Sequence, residues 1–509
     1  MRNLFELLTE VNYLRLTGAA DVPVTGVAYD SRKVAAGDLF ACVPGQHTDG
    51  HLYISEALAR GAAAILAQSK RIPEGQDFGT ATVVEVENVR AALAAVSSAF
   101  YDSPSRQLCL IGITGTNGKT TTSYLTEAIL RQAGYATGVI GTLGYHVGDA
   151  LLPAIHTTPE APDLQSLLHG MVTAGVTHAA MEVSSHALAL RRADHCAFSF
   201  AVFTNLTRDH LDFHADPRDY FEAKARLFYD PLFSPGDRLR INVINADDAS
   251  GRALAERAVG LTVTYGIEGR GDVMARDVAL RADGTSFRVE APQGMLPVNL
   301  KLVGSFNVYN ALAALAVALG VGVDLERAVA ALESVPPIRG RFERVEAGQD
   351  CAVVVDYSHT PDGLEKALRD ARRLVSGRLL VVFGAGGDRD PGKRPLMGET
   401  AARLADLVFV TSDNPRSESP ERIIQQIMSG VPWASRRRCR AQPDRREAIR
   451  MALDEARADD LVLIAGKGHE TYQIFADRTI HFDDREVVGE LVAERGEMRP
   501  DAQAEPRQP

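Results

Sequence analysis

Residues 109–120 read CLIGITGTNGKT, an apolar, β-branched run that breaks into a glycine-rich turn at Gly115 and opens onto TTSYLTEAILRQAG, which has helical spacing. A strand, a turn and a helix in that order aim backbone N–H groups and a helix N-terminus at any anion lying in the turn. Gly115, Thr116, Asn117, Gly118, Lys119 and Thr120 therefore read as a phosphate-binding loop, with Lys119 reaching the β and γ phosphates and Thr120 holding Mg²⁺. The loop is a variant one: the usual pattern has glycine five positions before Gly118, and Ile113 stands there. Its bland alternative is a glycine-rich turn with an incidental lysine.

The same pattern, a short apolar run that ends in glycine and polar residues, recurs along the chain. HAAMEVSSH (178–186), FAVFTNLTRDH (200–210), LRINVINADD (239–248), CAVVVDYSH (351–359), LLVVFGAGGDRD (379–390), LVFVTSDNPR (407–416) and LVLIAGKGHE (461–470) follow it. Runs this short read as strands buried on both faces, and helix-like stretches such as GLEKALRDARRLV separate several of them. The alternation implies an α/β fold with parallel sheets, in which ligands bind beyond the carboxyl ends of the strands.

A chain of 509 residues is long enough for about three domains. Pro336, Pro337 and Gly340 interrupt the passage from the helical DLERAVAALESV to a new strand and place a boundary near residue 338; Pro104 marks another. The expected domains are 1–104, a smaller mixed α/β unit with the helix HLYISEALARGA; 105–337, a central P-loop ATPase-type parallel sheet; and 338–495. Residues 496–509 lack apolar periodicity and read as a disordered tail.

Charged residues are 24% of the chain and its net charge is −11, which disfavours a non-specific nucleic-acid or anionic-membrane binder. Cys42, Cys109, Cys196, Cys351 and Cys439 form no CxxC pair, so reduced thiols in a cytoplasmic protein are expected. Glu6 and Glu10 interrupt the first apolar stretch, which argues against a secretory signal, and the apolar run 311–323 is too short to span a bilayer.

Two further strand ends carry candidate chemistry. Glu182 closes one apolar run, where a carboxylate could ligate Mg²⁺; at such positions a glutamate is more often a cap or surface residue. Asp209, His210, Asp212 and His214 form a mixed histidine and carboxylate cluster past another strand, suited to metal or phosphate work or to a polar helix cap.

GTNGKTTT, HTTP, MEVSSHAL, NLTRDHLDFH, YFEAKARLF, GSFNVYNALAA, GRFE, VDYSHTPDGL, GAGGDRDPGKRP, SDNPR and GKGHE occur in the order found in the Mur ligases of peptidoglycan synthesis, and the resemblance runs from about residue 25 to about residue 490. Within that family the chain resembles the members that add meso-diaminopimelate to UDP-N-acetylmuramoyl-L-alanyl-D-glutamate. The resemblance implies a UDP-binding N-terminal domain, a central ATPase domain and a Rossmann-like C-terminal domain that brings the amino acid. It further implies an ATP-dependent reaction: a carboxylate is phosphorylated, an amine attacks the acyl phosphate, and an amide, ADP and phosphate result.

Carried over by position, the family pattern assigns the ATP phosphates to Gly115 through Thr121, and Mg²⁺ to Thr120, Glu182 and His210. Asn307, Arg341 and Asp356 match residues used around the nucleotide. Ser31, Gln46, His47 and Thr48 match the uridine end, and Thr157, Thr158, Ser184 and Arg192 the muramoyl peptide. Leu190 stands where relatives commonly have glutamine and His156 where asparagine is frequent. Lys224, by itself an ordinary helix lysine, matches a lysine that the family carbamylates into a Mg²⁺ ligand. Arg389, Asp413, Asn414, Pro415, Arg416, Gly466 and Glu470 match the diaminopimelate pocket, with Arg416 on the distal carboxylate and Glu470 on the distal ammonium. A monomer acting on small molecules is expected. The lysine-adding variant and a P-loop regulatory ATPase or binding module are the alternatives; YDSRKVAAGDLF (29–40) disfavours folylpolyglutamate synthetase, which shares the ATPase plan.

Overall fold

The computed structural model describes residues 1–45, 48–236 and 239–497. All eight apolar runs are strands, four in each of two sheets. In the central sheet, Thr137–Gly141, His178–Glu182, Cys109–Thr114, Phe200–Phe203, Ile241–Asn245 and Leu261–Gly266 lie side by side and parallel. After Cys109–Thr114 the chain adds strands first on one side and then, from Phe200, on the other. The crevice where the direction reverses is where an open parallel sheet binds ligands, and Gly115–Gly118 lies at its mouth.

The flanks of this sheet depart from the expected all-parallel plan. Gly144–Val147 and Ala150–Leu152 form an antiparallel hairpin at one edge, and Val273–Arg281, Gly284–Ala291 and Gly294–Leu300 form an antiparallel meander at the other. Residues 276–281 alternate between partly buried and exposed, as strands with one wet face do. Two-residue connections, Ala282-Asp283 and Pro292-Gln293, carry the turns.

The C-terminal sheet orders Ala352–Asp356, Leu461–Ala465, Leu379–Phe383, Leu407–Val410 and Cys439–Ala441 in parallel, with Glu343–Val345 antiparallel at its edge. The N-terminal sheet pairs Val27–Ala28, Leu39–Ala41, Ala64–Gln68 and Thr82–Val86 in parallel, closed by antiparallel Tyr13–Thr17. Its expected helix is short: a 3-10 turn over Gly50–Tyr53 precedes Ile54–Ala59, and Gly61 at φ +90° ends it.

The helix Ser305–Val321 is apolar around most of its circumference, as befits an element enclosed on all sides. Leu312 and Leu315 are fully buried there, each contributing about 1.5–3 kcal/mol of transfer free energy. This helix packs against Lys119–Gln132 and against the face of the central sheet, fixing the start of the phosphate loop's helix. The next helix, Leu325–Ser334, ends before Pro336 as expected. The last helix, Asp484–Glu497, runs past residue 495; the remainder of the expected tail, 498–509, lies outside the described residues. No described helix is long and apolar enough to cross a membrane.

Candidate active site

The strand ends of the central and C-terminal sheets face a common cavity of about 1370 Å³. On the phosphate-loop side it is lined by Thr116, Asn117, Gly118, Lys119, Thr120 and Thr121. Gly115 has φ +144°, and a Cβ there would stand 1.9 Å from Thr204 Oγ1, so only glycine allows the turn this close to the neighbouring strand. That strand's extension then holds the loop: Thr116 N donates to Asn205 O at 2.8 Å, Asn117 N to Asn205 Oδ1 at 3.0 Å, and Thr204 Oγ1 to Asn117 O at 2.7 Å. No side chain caps the helix that begins at Lys119, so its first N–H groups remain available at the cavity.

Lys119 Nζ donates to Gly115 O at 3.0 Å and Thr116 O at 2.9 Å. Burial lowers its pKa and Arg341 lowers it further, against the raising effect of Glu182 and Asp209. Glu182 is 1% exposed. Its Oε2 accepts from Thr120 Oγ1 at 3.0 Å and its Oε1 from Thr142 N at 2.8 Å. Arg341, from the C-terminal unit, donates to the same Thr120 hydroxyl at 2.8 Å and stacks on Tyr357, 4.6 Å from the ring centroid. Asp356 accepts from Phe342 N at 2.8 Å and holds the Arg341 segment in place.

His210 lines the cavity with φ +54°. Burial, then the nearby His186, Lys224 and Lys119, push its imidazole down to about 2 despite Asp209 beside it. The expected four-member cluster does not converge. Asp209, His210 and Asp212 line the cavity, whereas His214 is buried behind it with Nδ1 3.2 Å from Asp219 Oδ2. Among the described residues no three His, Cys, Asp or Glu side chains form a group that could hold a metal by themselves. Thr120 and Glu182 do suit Mg²⁺, a hard cation that takes a few protein oxygens and completes its shell with water and phosphate oxygens.

Lys224 is 1% exposed, on the helix Pro217–Tyr229 beneath the phosphate loop, so it is not the ordinary helix lysine that its local sequence suggests. Its Nζ donates to Gly115 O at 2.8 Å and lies 4.7 Å from the Tyr220 ring centroid. Burial, reinforced by Lys119, holds the amine well below the usual lysine range.

Asn307 sits one layer behind its expected place. It is fully buried, donates to Val303 O at 2.9 Å and accepts from Asn310 Nδ2 at 3.0 Å, and Asn310 is the residue that lines the cavity. One helical turn separates the two, and the sequence offers no sign of which asparagine faces in.

Thr157, Thr158, Ser184 and Arg192 line the side toward the N-terminal unit, with His156 and Leu190 among them. Arg192 pairs with Glu160 at 2.8 Å, and Arg90 pairs with the other oxygen of Glu160 at 3.1 Å. Arg90 also donates to Pro44 O at 3.2 Å. Ser31 and Thr48 stand apart from the cavity: Ser31 Oγ donates to Glu56 at 2.9 Å, and the Thr48 hydroxyl lies 3.0 Å from Tyr53 OH. Gln46 and His47 lie outside the described residues.

At the opposite side Arg389, Asp413, Asn414, Arg416, Gly466 and Glu470 line the wall, and Pro415 is buried just behind it. Gly466 has φ +114°, and a Cβ there would stand 2.6 Å from Asp413 Oδ2. Arg416, at φ +52°, is fixed by its N–H to Ile474 O at 3.0 Å and its Nη1 to Gly387 O at 2.8 Å. Asn414 Nδ2 donates to Glu470 Oε2 at 2.7 Å. Burial and the nearby Asp413 raise the Glu470 pKa. Lys467, 0% exposed in GKGHE and given no role at the level of sequence, lies 3.1 Å from Glu470 Oε2, so Glu470 already has one cationic partner.

Three family matches tile this architecture: residues 23–101 to the Mur ligase family catalytic domain, 113–318 to the Mur ligase middle domain, and 340–468 to the Mur ligase glutamate ligase domain. The chain is 45% identical to a UDP-N-acetylmuramoyl-L-alanyl-D-glutamate–2,6-diaminopimelate ligase of Caldanaerobacter subterraneus subsp. tengcongensis, over 96% of this chain and 99% of the relative. The chain belongs to the Mur ligase family. A Geobacillus kaustophilus ligase of the same name is 48% identical over 93% of this chain and 96% of its own length. A solved structure of a protein so named matches with a TM-score of 0.68 at 35% identity, covering 97% of this Mur ligase and 99% of that chain. As a Mur ligase the chain is an ATP-dependent amide-forming enzyme, and the cavity between its sheets is where its motifs meet.

Proposed function

We propose that this Mur ligase joins meso-diaminopimelate to UDP-N-acetylmuramoyl-L-alanyl-D-glutamate, using ATP, in the cytoplasmic synthesis of peptidoglycan precursors. The observation that carries the reading is a single cavity lined by the phosphate loop, the Thr157–Arg192 wall and the Asp413–Arg416 wall together. The division of labour follows the expected units: residues 1–104 for the uridine nucleotide, 105–337 for ATP and 338–495 for the amino acid. A monomer that acts on small molecules, without nucleic acid or membrane, fits the reading.

The loop N–H groups from Gly115 to Thr121 cradle the ATP phosphates, with Arg341, Asp356 and Asn310, the last backed by Asn307, around the nucleotide. Lys119 places its charge on the migrating phosphoryl group. Thr120, Glu182, His210 and a carbamylated Lys224 would hold Mg²⁺, which would supply charge neutralisation at the phosphates. Thr157, Thr158, Ser184 and Arg192 hold the muramoyl peptide so that its free carboxylate meets the terminal phosphoryl group, and Ser31, Gln46, His47 and Thr48 take the uridine end. Arg416 forks onto the distal carboxylate of diaminopimelate, Glu470 receives its distal ammonium, and Arg389, Asp413, Asn414, Pro415 and Gly466 shape the pocket. The amine attacks the acyl phosphate through a tetrahedral intermediate, and phosphate leaves as the amide forms. Walls from separate units exclude water from the hydrolysable intermediate.

Phosphate release measured with and without the UDP-muramoyl dipeptide and diaminopimelate tests this. Release that requires both supports the ligase; release indifferent to both is the behaviour of a regulatory ATPase and refutes it.

A further inference from the structure

Arg208 and Asp209, neighbours in the loop that leaves Phe200–Phe203, take no part in the proposed chemistry. Each faces an opposite charge on the C-terminal unit. Arg208 Nε donates to Asp390 Oδ2 at 3.2 Å, and Lys393 Nζ lies 3.8 Å from Asp209 Oδ1. The pattern is crossed: positive then negative along one loop meets negative then positive along the other. Asp209, Asp390 and Lys393 are 4%, 6% and 4% exposed, so three of the four charges are held away from water. Asp209 is also 3.7 Å from His359 Nε2, a third contact from the C-terminal unit, and accepts from the backbone N–H of His210 at 2.9 Å. Between Asp390 and Lys393 the loops touch: a Cβ on Gly392 would stand 2.5 Å from Arg208 Nη2.

We infer that Arg208–Asp390 and Asp209–Lys393 are positioning pairs, a charge-coded clasp that fixes the register in which the Asp413–Arg416 wall faces the phosphate loop. A slipped register would set like charge against like, and close like-charge contacts across an interface are strongly unfavourable. The clasp stands at the cavity's edge, which Asp209, Arg389 and Lys393 line, so a change of register there displaces the amine-binding wall from the acyl phosphate. The inference rests on the ligase reading for its kinetic consequence and on geometry alone for the clasp.

The test uses the full chain carrying R208D, D390R or both. Each single variant should raise the KM for diaminopimelate about tenfold while leaving the KM for ATP within about twofold, and the doubly swapped chain should recover to within about threefold, as coupled charges do in a double-mutant cycle. Small-angle scattering with nucleotide bound should give a larger radius of gyration for the single variants and the wild-type value for the swap. Should a single variant unfold, R208Q and D390N carry the same comparison, each expected to lose less than the charge reversals. Single variants with a KM for diaminopimelate within twofold of wild type and an unchanged radius of gyration, or a swap no better than the worse single variant, would overturn the clasp. A wild-type chain with no diaminopimelate-dependent phosphate release would instead sink the ligase reading, and scattering would still decide the clasp.

Discussion

Replacing Lys224 separates stability from catalysis. Its amine is buried with one backbone acceptor, Gly115 O at 2.8 Å, and its charged form is disfavoured by burial and by Lys119. A lysine held neutral is a nucleophile for CO₂, and the carbamate so formed is an anion that suits a site of metal and phosphate. Lys224→Met keeps most of the volume and removes a costly polar group, so the melting temperature should hold or rise. Losing one preorganised electrostatic contact should lower kcat by about 10²–10³, or about 2.7–4 kcal/mol. Lys224→Ala should lose as much and open a void, at a stability cost within the range of about 2–5 kcal/mol for buried truncations. Acetate or formate can enter that void and stand in for the carbamate. Phosphate release should therefore recover partly with short carboxylates in the alanine variant and not in the methionine variant. Wild-type activity should fall after CO₂ is stripped and return with bicarbonate. Near-normal turnover of Lys224→Ala, or indifference of the wild type to bicarbonate, would refute the reasoning.

Lys119→Ala should cost about 2.7–4 kcal/mol of transition-state stabilisation with an unchanged melting curve; normal turnover would show that the loop does not hold the migrating phosphoryl group. Arg445 and Asp484 are both fully buried and bonded twice at 2.7 Å, and Arg445 also donates to Ser412 O and Ala465 O, tying together the strand ends that carry Asp413 and Gly466. Arg445→Met, which leaves Asp484 unpaired, should cost about 3–5 kcal/mol in denaturant titration; a loss under 1 kcal/mol would contradict this. Burial holds the imidazoles of His186, His210 and His469 down to about 4, 2 and 3. Below about pH 6.5 the unfolded chain binds protons that the folded chain refuses, so stability should decline as pH falls from there. The melting temperature should drop between pH 6.5 and 5, less steeply in His186→Asn, and a flat profile would refute the shifts.

The parallel core was legible because its strands are buried on both faces and read as continuous apolar runs. The meander over residues 273–300 was not, because its strands alternate between one wet and one buried face instead of forming the continuous apolar runs by which the others were found. Within the site, the phosphate loop could be read from local order alone, since strand, turn and helix are contiguous. Lys224 could not: a lysine on an amphipathic helix looks solvent-facing until the loop that covers it is known, and only the family resemblance singled it out. Asn310 and Lys467 were missed for a related reason. Whether a polar side chain faces a cavity or supports its neighbour is decided by packing between units far apart in sequence.

The most direct measurement compares meso-diaminopimelate with lysine as the amine, in wild type and in Arg416→Ala. If Arg416 takes the distal carboxylate as proposed, the enzyme should prefer diaminopimelate by about 10⁴–10⁵ in kcat/KM. Truncating Arg416 should reduce kcat/KM for diaminopimelate heavily and for lysine little, so that the ratio collapses. A wild-type enzyme that uses both amines equally well, or an Arg416→Ala variant that loses both in parallel, would contradict the proposed substrate and favour the lysine-adding alternative.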